Sequence, residues 1–427
     1  MQVLHLSTSD VGGGAAIAAH RLHQGLHYLG ITSQMLVDKK LSDDPAVFAP
    51  KSNLSKALGI LKPTLDHLPL RFYPQVDHTK LTLSLEWLPD EIAPKTAQLA
   101  PDIINLHWAC GGYLKIETLA KFKQPLVWTL HDMWAFTGGC HYSQECDRYT
   151  ESCGACPLIQ KGNKNWDLSR WVWQRKAKAW RDIDLTIVTP STWLAKCASS
   201  SSLFKNLPIE VIPNGLDPER YKPLERRLAR ELLKLPQDKQ LILFGAMGST
   251  SDHRKGFHLL QPALQRLSQS GWQGQTELVV FGSSKPNPQP NFGLKAHYLG
   301  NLSDDISLAL LYAAADVFVA PSVQDNLPNT VMEAIACGIP CVAFNIGGMP
   351  DMIEHQHNGY LARPYESEDL ATGIAWVLQN EQRWQALSHR AREKVEQEFT
   401  LEIQARRYLK LYQEVLQTSN READKPS

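Results

Sequence analysis

Neither sign of charge prevails in this 427-residue sequence, where 44 Lys and Arg meet 44 Asp and Glu for a formal net charge of zero. Without bulk positive charge there is no general attraction to polyanions, so no nucleic-acid partner is expected. Long apolar runs are also scarce. The opening MQVLHLSTSD carries no positive segment and soon reaches Asp10, and the run SLALLYAAADVFVAPSV is broken by Asp316. Neither a signal peptide nor a transmembrane helix is expected, which points to a cytoplasmic location with reduced thiols. Cysteine is sparse: eight residues are far too few for a disulfide scaffold, although four of them gather between 140 and 156.

What is present is alternation. Short apolar, β-branched runs take turns with helical patterns, the signature of parallel strands joined by crossover helices, so the fold class is α/β with doubly wound, Rossmann-like sheets. In the first half the strand candidates are QVLHL (2–6), SQMLV (33–37), DIINLHW (102–108), PLVWTLH (125–131), LTIVTPS (185–191) and IEVIPN (209–214). A helix over 15–29 stacks Leu22, Leu26 and Leu29 on one face. The scheme restarts with QLILFGA (240–246), ELVVFGS (277–283), AHYLG (296–300), DVFVAPS (316–322) and PCVAFN (340–345).

Two sheets imply two domains. Pro213, Asn214, Gly215, Pro218 and Pro223 crowd the segment between them, which places the boundary near 215, with domains over 1–215 and 216–398. Two charged helices, roughly 366–397 and 400–418, follow the last strand candidate, and the tail SNREADKPS (419–427) is expected to be disordered. Tandem α/β domains create a cleft, and doubly wound sheets bind ligands beyond the carboxyl ends of their strands.

Residues that follow strands are therefore the informative ones. Gly12, Gly13 and Gly14 separate the first strand from a helix, where backbone amides can approach an anion; a bare strand-to-helix turn is the alternative. The spacing is not the dinucleotide G-x-G-x-x-G, which disfavours a nicotinamide enzyme. In the block 321–364, Asp325 closes a strand-end loop and Glu333 lies eight positions later, on a helix beginning near Asn329. Both carboxylates can face one ligand. The helix start at Asn329 and Thr330 suits a diphosphate, and Gly347 with Gly348 forms another close-approach loop.

This block resembles the donor-binding signature of retaining nucleotide-sugar glycosyltransferases of family 4, which have the GT-B architecture. The resemblance runs along nearly the whole chain: the N-terminal glycine loop, the His131–Asp132 pair, the interdomain VIPNGLD, the RKGF segment around Lys255, LYAAADVFVAPS and PNTVMEAIACGIPCVAF. It implies a transferase that moves a sugar from a UDP-, GDP- or ADP-type donor to a hydroxyl acceptor, a saccharide or lipid-linked saccharide, in polysaccharide or glycolipid synthesis. The N-terminal domain would serve the acceptor, and the 400–418 helix would cross back onto it. Asp325 would contact donor-sugar hydroxyls, Glu333 the ribose, Lys255 the diphosphate and His131 the donor sugar. The family places Glu at the site of Asp325 and an arginine after the glycine of the preceding strand. Here Ala246 follows Gly245, and Arg254, beside Lys255, is the candidate substitute.

Glycosyl transfer passes through an oxocarbenium-like state while the leaving diphosphate gathers charge, so the site chiefly needs fixed donors and cations. Lys255, Arg254, Gly13, Gly14 and the Asn329–Thr330 amides could supply them. No D-x-D stands in a metal-holding context, so no catalytic metal or other cofactor is expected. The family's retention by front-face attack, with the leaving phosphate helping to deprotonate the acceptor, calls for no protein general base. A sugar-nucleotide epimerase or hydrolase on the same scaffold, and an inactive sugar-nucleotide-binding partner protein, are the alternatives.

Two features stand apart. Cys140, Cys146, Cys153 and Cys156 could close a tetrahedral structural zinc site, with reduced buried thiols or a redox role as alternatives. The basic, tryptophan-rich stretch WDLSRWVWQRKAKAWRDID, with Trp173 and Trp180 seven apart, is either a packed helix or a dock for the inner face of an anionic membrane.

Overall fold

The computed structural model describes residues 1–50, 52–73, 83–159, 167–245, 248, 252–302 and 304–423. The chain divides into two compact units, Met1–Asn214 with Leu401–Ser427, and Gly215–Thr400.

The N-terminal unit carries a seven-stranded sheet in the order β3-β2-β1-β4-β5-β6-β7. Its strands are β1 (Gln2–Ser9), β2 (Thr32–Lys39), β3 (Val47–Phe48), β4 (Ile103–Leu106), β5 (Leu126–Thr129), β6 (Leu185–Thr189) and β7 (Ile209–Val211), all paired in parallel. Helices cover both faces, so successive residues of a strand enter different cores. Leu4 and Leu6 join Ile104, Leu106 and Trp128 on one side. Val3 joins Leu22, Leu26, Ile103, Val127, Tyr408 and Tyr412 on the other. Each fully buried leucine contributes about 2 kcal/mol of transfer free energy to these layers. The last helix, Leu401–Ala423, is tied to the same sheet by polar contacts. Asn105 Nδ2 donates to the Tyr412 hydroxyl at 2.7 Å, and the Thr129 and Tyr408 hydroxyls lie 2.8 Å apart. Gly25 has no side chain because a Cβ there would sit 3.0 Å from the Leu401 carbonyl oxygen.

The C-terminal unit repeats the plan with a six-stranded sheet in the order β10-β9-β8-β11-β12-β13. These strands are β8 (Gln240–Gly245), β9 (Thr276–Phe281), β10 (Ala296–Tyr298), β11 (Val317–Ala320), β12 (Cys341–Phe344) and β13 (Gly359–Ala362), again parallel. Leu241 and Leu243 face one core, Ile242 and Phe244 the other.

Several sequence expectations need correction. The edge strands β3 and β13 went unread: Val47–Phe48 is only two residues long, and GYLA follows a stretch rich in His, Gln and Asn. The single helix expected over 366–397 is two, Ser367–Leu378 and Glu381–Glu398, because Asn380 leaves the helical region and its side chain caps Arg383 N at 2.8 Å. The tail expected to be disordered from 419 continues the last helix to Ala423, and 424–427 lie outside the described residues. His107 and Trp108, read as strand, lie beyond the end of β4.

Candidate functional site

In a parallel sheet all carboxyl ends share one edge. At that edge of the C-terminal unit, the turn His253–Lys255 follows β8 and ends on Gly256 with φ 74°. A Cβ on Gly256 would lie 1.7 Å from the Pro321 carbonyl oxygen, so only glycine lets this turn press against the end of β11. The close approach delivers two cations to one carboxylate. Lys255 Nζ donates to Asp325 Oδ2 at 2.8 Å, and Arg254 Nη1 stands 3.2 Å from the same oxygen. Arg254 also donates to the Gln324 carbonyl at 3.2 Å and pairs with Asp252 at 3.3 Å. Ser322 Oγ donates to Asp325 Oδ2 at 3.3 Å, and the Asn326 amide donates to Oδ1 at 3.1 Å. Burial alone would raise the pKa of Asp325, but Lys255 and then Arg254 outweigh it and hold the group at about 2.

The glycine pair after β12 has a definite task. Gly347 adopts φ 54°, and a Cβ there would be 2.0 Å from the Asp325 carbonyl oxygen, to which the Gly348 amide donates at 3.2 Å. Gly347 and Gly348 thus hold the backbone of Asp325 against the strand ends. Gly245, Lys255, Ser322, Asp325 and Thr330 line one small cavity. Thr330 belongs to the helix Asn329–Ala336, which starts after Pro328. Glu333 on that helix does not line the cavity. It is buried, and its Oε2 accepts from the buried Tyr312 hydroxyl at 3.0 Å. The structure therefore brings Lys255, Arg254, Asp325 and Thr330 together and sets Glu333 apart from them. Ala246, which follows Gly245, lies outside the described residues.

The corresponding edge of the N-terminal unit carries Gly12, Gly13 and Gly14 after β1. Gly13 takes φ 113° and caps the helix Gly14–Tyr28, while the Gly12 amide donates to Ser9 Oγ at 3.0 Å. Asp10, which sequence reading passed over, is fully buried and accepts the amides of Leu41 and Ser42, both at 2.9 Å, fixing the loop after β2. Asp132 turns away from chemistry: Trp108 Nε1 at 2.9 Å, the Trp134 amide at 2.8 Å and His141 Nδ1 at 2.7 Å surround it. Burial pushes its pKa up, but His141 and these hydrogen bonds reverse the shift and lower it. His131 beside it is partly exposed, and burial pulls its pKa down to about 4, against the Asp132 charge, so its imidazole is neutral at pH 7.

Sequence reading also missed a set of polar residues placed inside apolar strands. His5 sits in VLHL and His107 follows IINL, and both are buried. A histidine within such a run was the available signal, because a buried imidazole requires a partner.

The thiols Cys140, Cys146, Cys153 and Cys156 lie within electrostatic reach of one another. Among the described residues, however, no three His, Cys, Asp or Glu side chains are disposed to hold a metal ion, so no metal role is derived for them. Burial drives Cys140, Cys153 and Cys156 up to about 12, which leaves them as neutral thiols at pH 7. Within the tryptophan-rich stretch, Leu168–Ala179 forms a helix that buries Val172 and Lys176 and leaves Trp171 exposed. Trp180 packs edge-on against Trp128 and Trp134 and at a tilt against Phe204, Trp173 donates to Ser202 Oγ at 3.1 Å, and Arg175 pairs with Glu117 at 2.7 Å. Among the described residues no helix is long and apolar enough to cross a membrane.

With this geometry in hand, comparison with known proteins gives a consistent picture. Residues 12–220 match the family described as Glycosyltransferase Family 4, and residues 238–380 match Glycosyl transferases group 1. A sulfoquinovosyl transferase of Arabidopsis thaliana is 27% identical over 336 residues, 76% of this chain and 59% of that protein. A D-inositol 3-phosphate glycosyltransferase of Catenulispora acidiphila is 28% identical over 183 residues, 40% of this chain and 42% of that one. The chain thus spans about half the length of these relatives. Among solved structures, a sucrose-phosphate synthase from Thermosynechococcus elongatus superimposes with a TM-score of 0.68 at 19% identity, covering 98% of this chain and 100% of that one. Anabaena HepE in complex with UDP and glucose gives 0.65 at 19% identity, covering 96% and 99%.

Proposed function

The chain belongs to the family 4 glycosyltransferases and has their two-unit GT-B fold, and from that premise we propose that it is a retaining glycosyltransferase acting on a nucleoside-diphosphate sugar. The observation that carries the reading is the Lys255–Asp325–Arg254 cluster at the carboxyl ends of β8 and β11. A diphosphate placed there receives the charge of Lys255 and the fork of Arg254, while Asp325 stays ionised and accepts hydrogen bonds from sugar hydroxyls. The Asn329 and Thr330 end of their helix adds its dipole to the same anion. Glu333 is assigned the ribose, whose hydroxyls would share its carboxylate with Tyr312.

In the transfer the bond from the anomeric carbon to the β-phosphate oxygen breaks, and a bond from that carbon to the acceptor oxygen forms on the same face. The acceptor proton passes to the departing phosphate. Cations fixed at the leaving group serve this step best, because negative charge develops there in the transition state. The N-terminal unit would hold the acceptor, a saccharide or lipid-linked saccharide. The setting proposed is glycolipid or polysaccharide synthesis, and relatives named as a sulfoquinovosyl transferase and a D-inositol 3-phosphate glycosyltransferase support sugar transfer as the reaction.

The test is release of nucleoside diphosphate from UDP-, GDP- and ADP-sugars by wild type and Lys255→Ala. The reading expects turnover with one nucleotide series and a loss of about 100-fold in the variant. Binding of the nucleotide without any turnover would select the inactive-partner alternative.

A further inference from the structure

The helix Asn53–Asp66 of the N-terminal unit is turned inside out. A surface helix normally buries its apolar stripe and shows its polar one to water. Here Leu58, Leu61 and Leu65, spaced three and four apart on one face, are exposed, as is Ile60. Gly59, Lys62 and Asp66, with the same spacing one residue on, are turned to the protein instead. Gly59 has no room for a side chain, since a Cβ there would sit 3.0 Å from Asp38 Oδ2, and Lys62 Nζ lies 3.6 Å from Asp38 Oδ1. Asp66 is fully buried: its Oδ2 accepts the Leu85 amide at 2.8 Å, and its carbonyl accepts from Trp87 Nε1 at 3.1 Å. The short turn Leu68–Phe72 that follows buries Leu70 but exposes Leu68 and Phe72, the latter at 85%. Among the described residues, six of the fifteen exposed large hydrophobic side chains lie between Leu58 and Phe72, so they form a patch and not the usual scatter.

The patch has a definite place and a definite charge. Asp38 stands near the carboxyl end of β2, and a Cβ on Gly112, in the loop after β4, would be 3.0 Å from Lys62 Cβ. The helix therefore lies over the carboxyl edge of the N-terminal sheet, the edge that also carries Gly12, Gly13 and Gly14. From Lys51 to Tyr73 the sequence holds Lys51, Lys56, Lys62 and Arg71 against one acid, Asp66, and that acid is buried. Arg71 is exposed beside Phe72. Apolar side chains held in water by a basic segment match the interface of an anionic bilayer, where they reach the acyl boundary while cations meet the headgroups. A second copy of the chain fits less well, because a two-fold contact would set this basic segment against itself.

We propose that Leu58, Leu61, Leu65, Leu68 and Phe72 form a peripheral docking face for an anionic lipid bilayer. The contact falls on this segment and not on the tryptophan-rich stretch, whose Trp180 is buried. Docking is a property of the surface and needs no reaction. That it sets the carboxyl edge of this unit against a lipid-linked acceptor rests on the glycosyltransferase reading.

Flotation of the full chain with phosphatidylcholine vesicles containing phosphatidylglycerol tests the docking with no donor or acceptor present. Wild type should float, and the combination of Leu61→Ser, Leu65→Ser and Phe72→Ser should weaken binding by about 30-fold or more. All three side chains are exposed, so this variant should keep the wild-type melting temperature. Arg71→Glu should weaken binding to the anionic vesicles by about fivefold or more and leave binding to pure phosphatidylcholine unchanged. Phe72→Trp, a variant that keeps the face apolar, should add quenching by brominated acyl chains beyond that of the wild-type tryptophans. Failure of wild type to float, equal flotation of wild type and the triple variant, or no added quenching overturns the proposal. A wild-type dimer in sedimentation that the triple variant loses, with no flotation of either, assigns the face to a second copy and overturns it as well. Docking without any sugar transfer would uphold the surface and count against the enzyme; transfer without docking would do the reverse.

Discussion

Asp325 offers a quantitative test of the charge cluster. Its carboxyl is held at about 2, against an ordinary 3.8, by Lys255 and Arg254 acting against burial. A group whose pKa is lower in the folded chain contributes stability that is present above its unfolded pKa and is lost as pH falls through the folded value. The fall from 3.8 to about 2 corresponds to about 2.5 kcal/mol at pH 7, of which about half remains at pH 3. Asp325→Asn keeps the shape and removes the charge. It should therefore destabilise the C-terminal unit by about 2 kcal/mol at neutral pH, with a gap to wild type that closes as pH falls from 4 to 2. Hydrogen exchange of the Val317–Ala320 amides isolates this unit from the rest of the chain. An asparagine variant as well protected as wild type at pH 7, or a gap of the same size at pH 7 and pH 3, would refute the claim that the two cations stabilise Asp325.

Other consequences are as direct. Gly256→Ala must place a Cβ 1.7 Å from the Pro321 oxygen in a left-handed conformation, so a melting experiment should show a loss of about 2 kcal/mol or more, together with weaker nucleotide binding as Lys255 moves. Burial pulls Lys176 down to about 7, and the folded chain therefore gains stability as pH rises from 7 towards 10.5. Urea titrations should show wild type gaining about 2 kcal/mol on Lys176→Met between pH 7 and pH 9, whereas a constant gap would mean that Lys176 titrates normally. Cys140, Cys153 and Cys156 should resist iodoacetamide at pH 8 until urea unfolds the chain, and rapid labelling of the folded chain would contradict their burial as neutral thiols.

Most of the architecture was legible because parallel strands buried on both faces are written as short apolar runs, and QLILFG or ELVVF admit few other readings. What escaped depends on tertiary context. β3 has two residues and β13 is GYLA, too short or too mixed to announce a strand. The break at Asn380 is a local capping event inside a charged stretch whose periodicity barely changes. In the site, Lys255 and Asp325 could be singled out from RKGF and from the strand-end loop, but they are seventy residues apart and their 2.8 Å contact depends on the bare backbone of Gly256. The Gly347–Gly348 pair, expected to approach a ligand, packs on the Asp325 backbone, and Glu333 points to Tyr312. The contacts of His107 with His5 at 2.9 Å and with His131 at 3.1 Å were invisible because these residues span positions 5 to 131 and meet only when their strands align.

The central claim is that Lys255 and Arg254 bind the diphosphate of a sugar donor in a transferase. Acceptor-dependent release of nucleoside diphosphate, measured in parallel for wild type, Lys255→Ala and Glu333→Gln, tests it most directly. The account predicts release from one nucleotide-sugar series by wild type, with Lys255→Ala slower by about 100-fold and Glu333→Gln clearly impaired. Full activity in Lys255→Ala would contradict it.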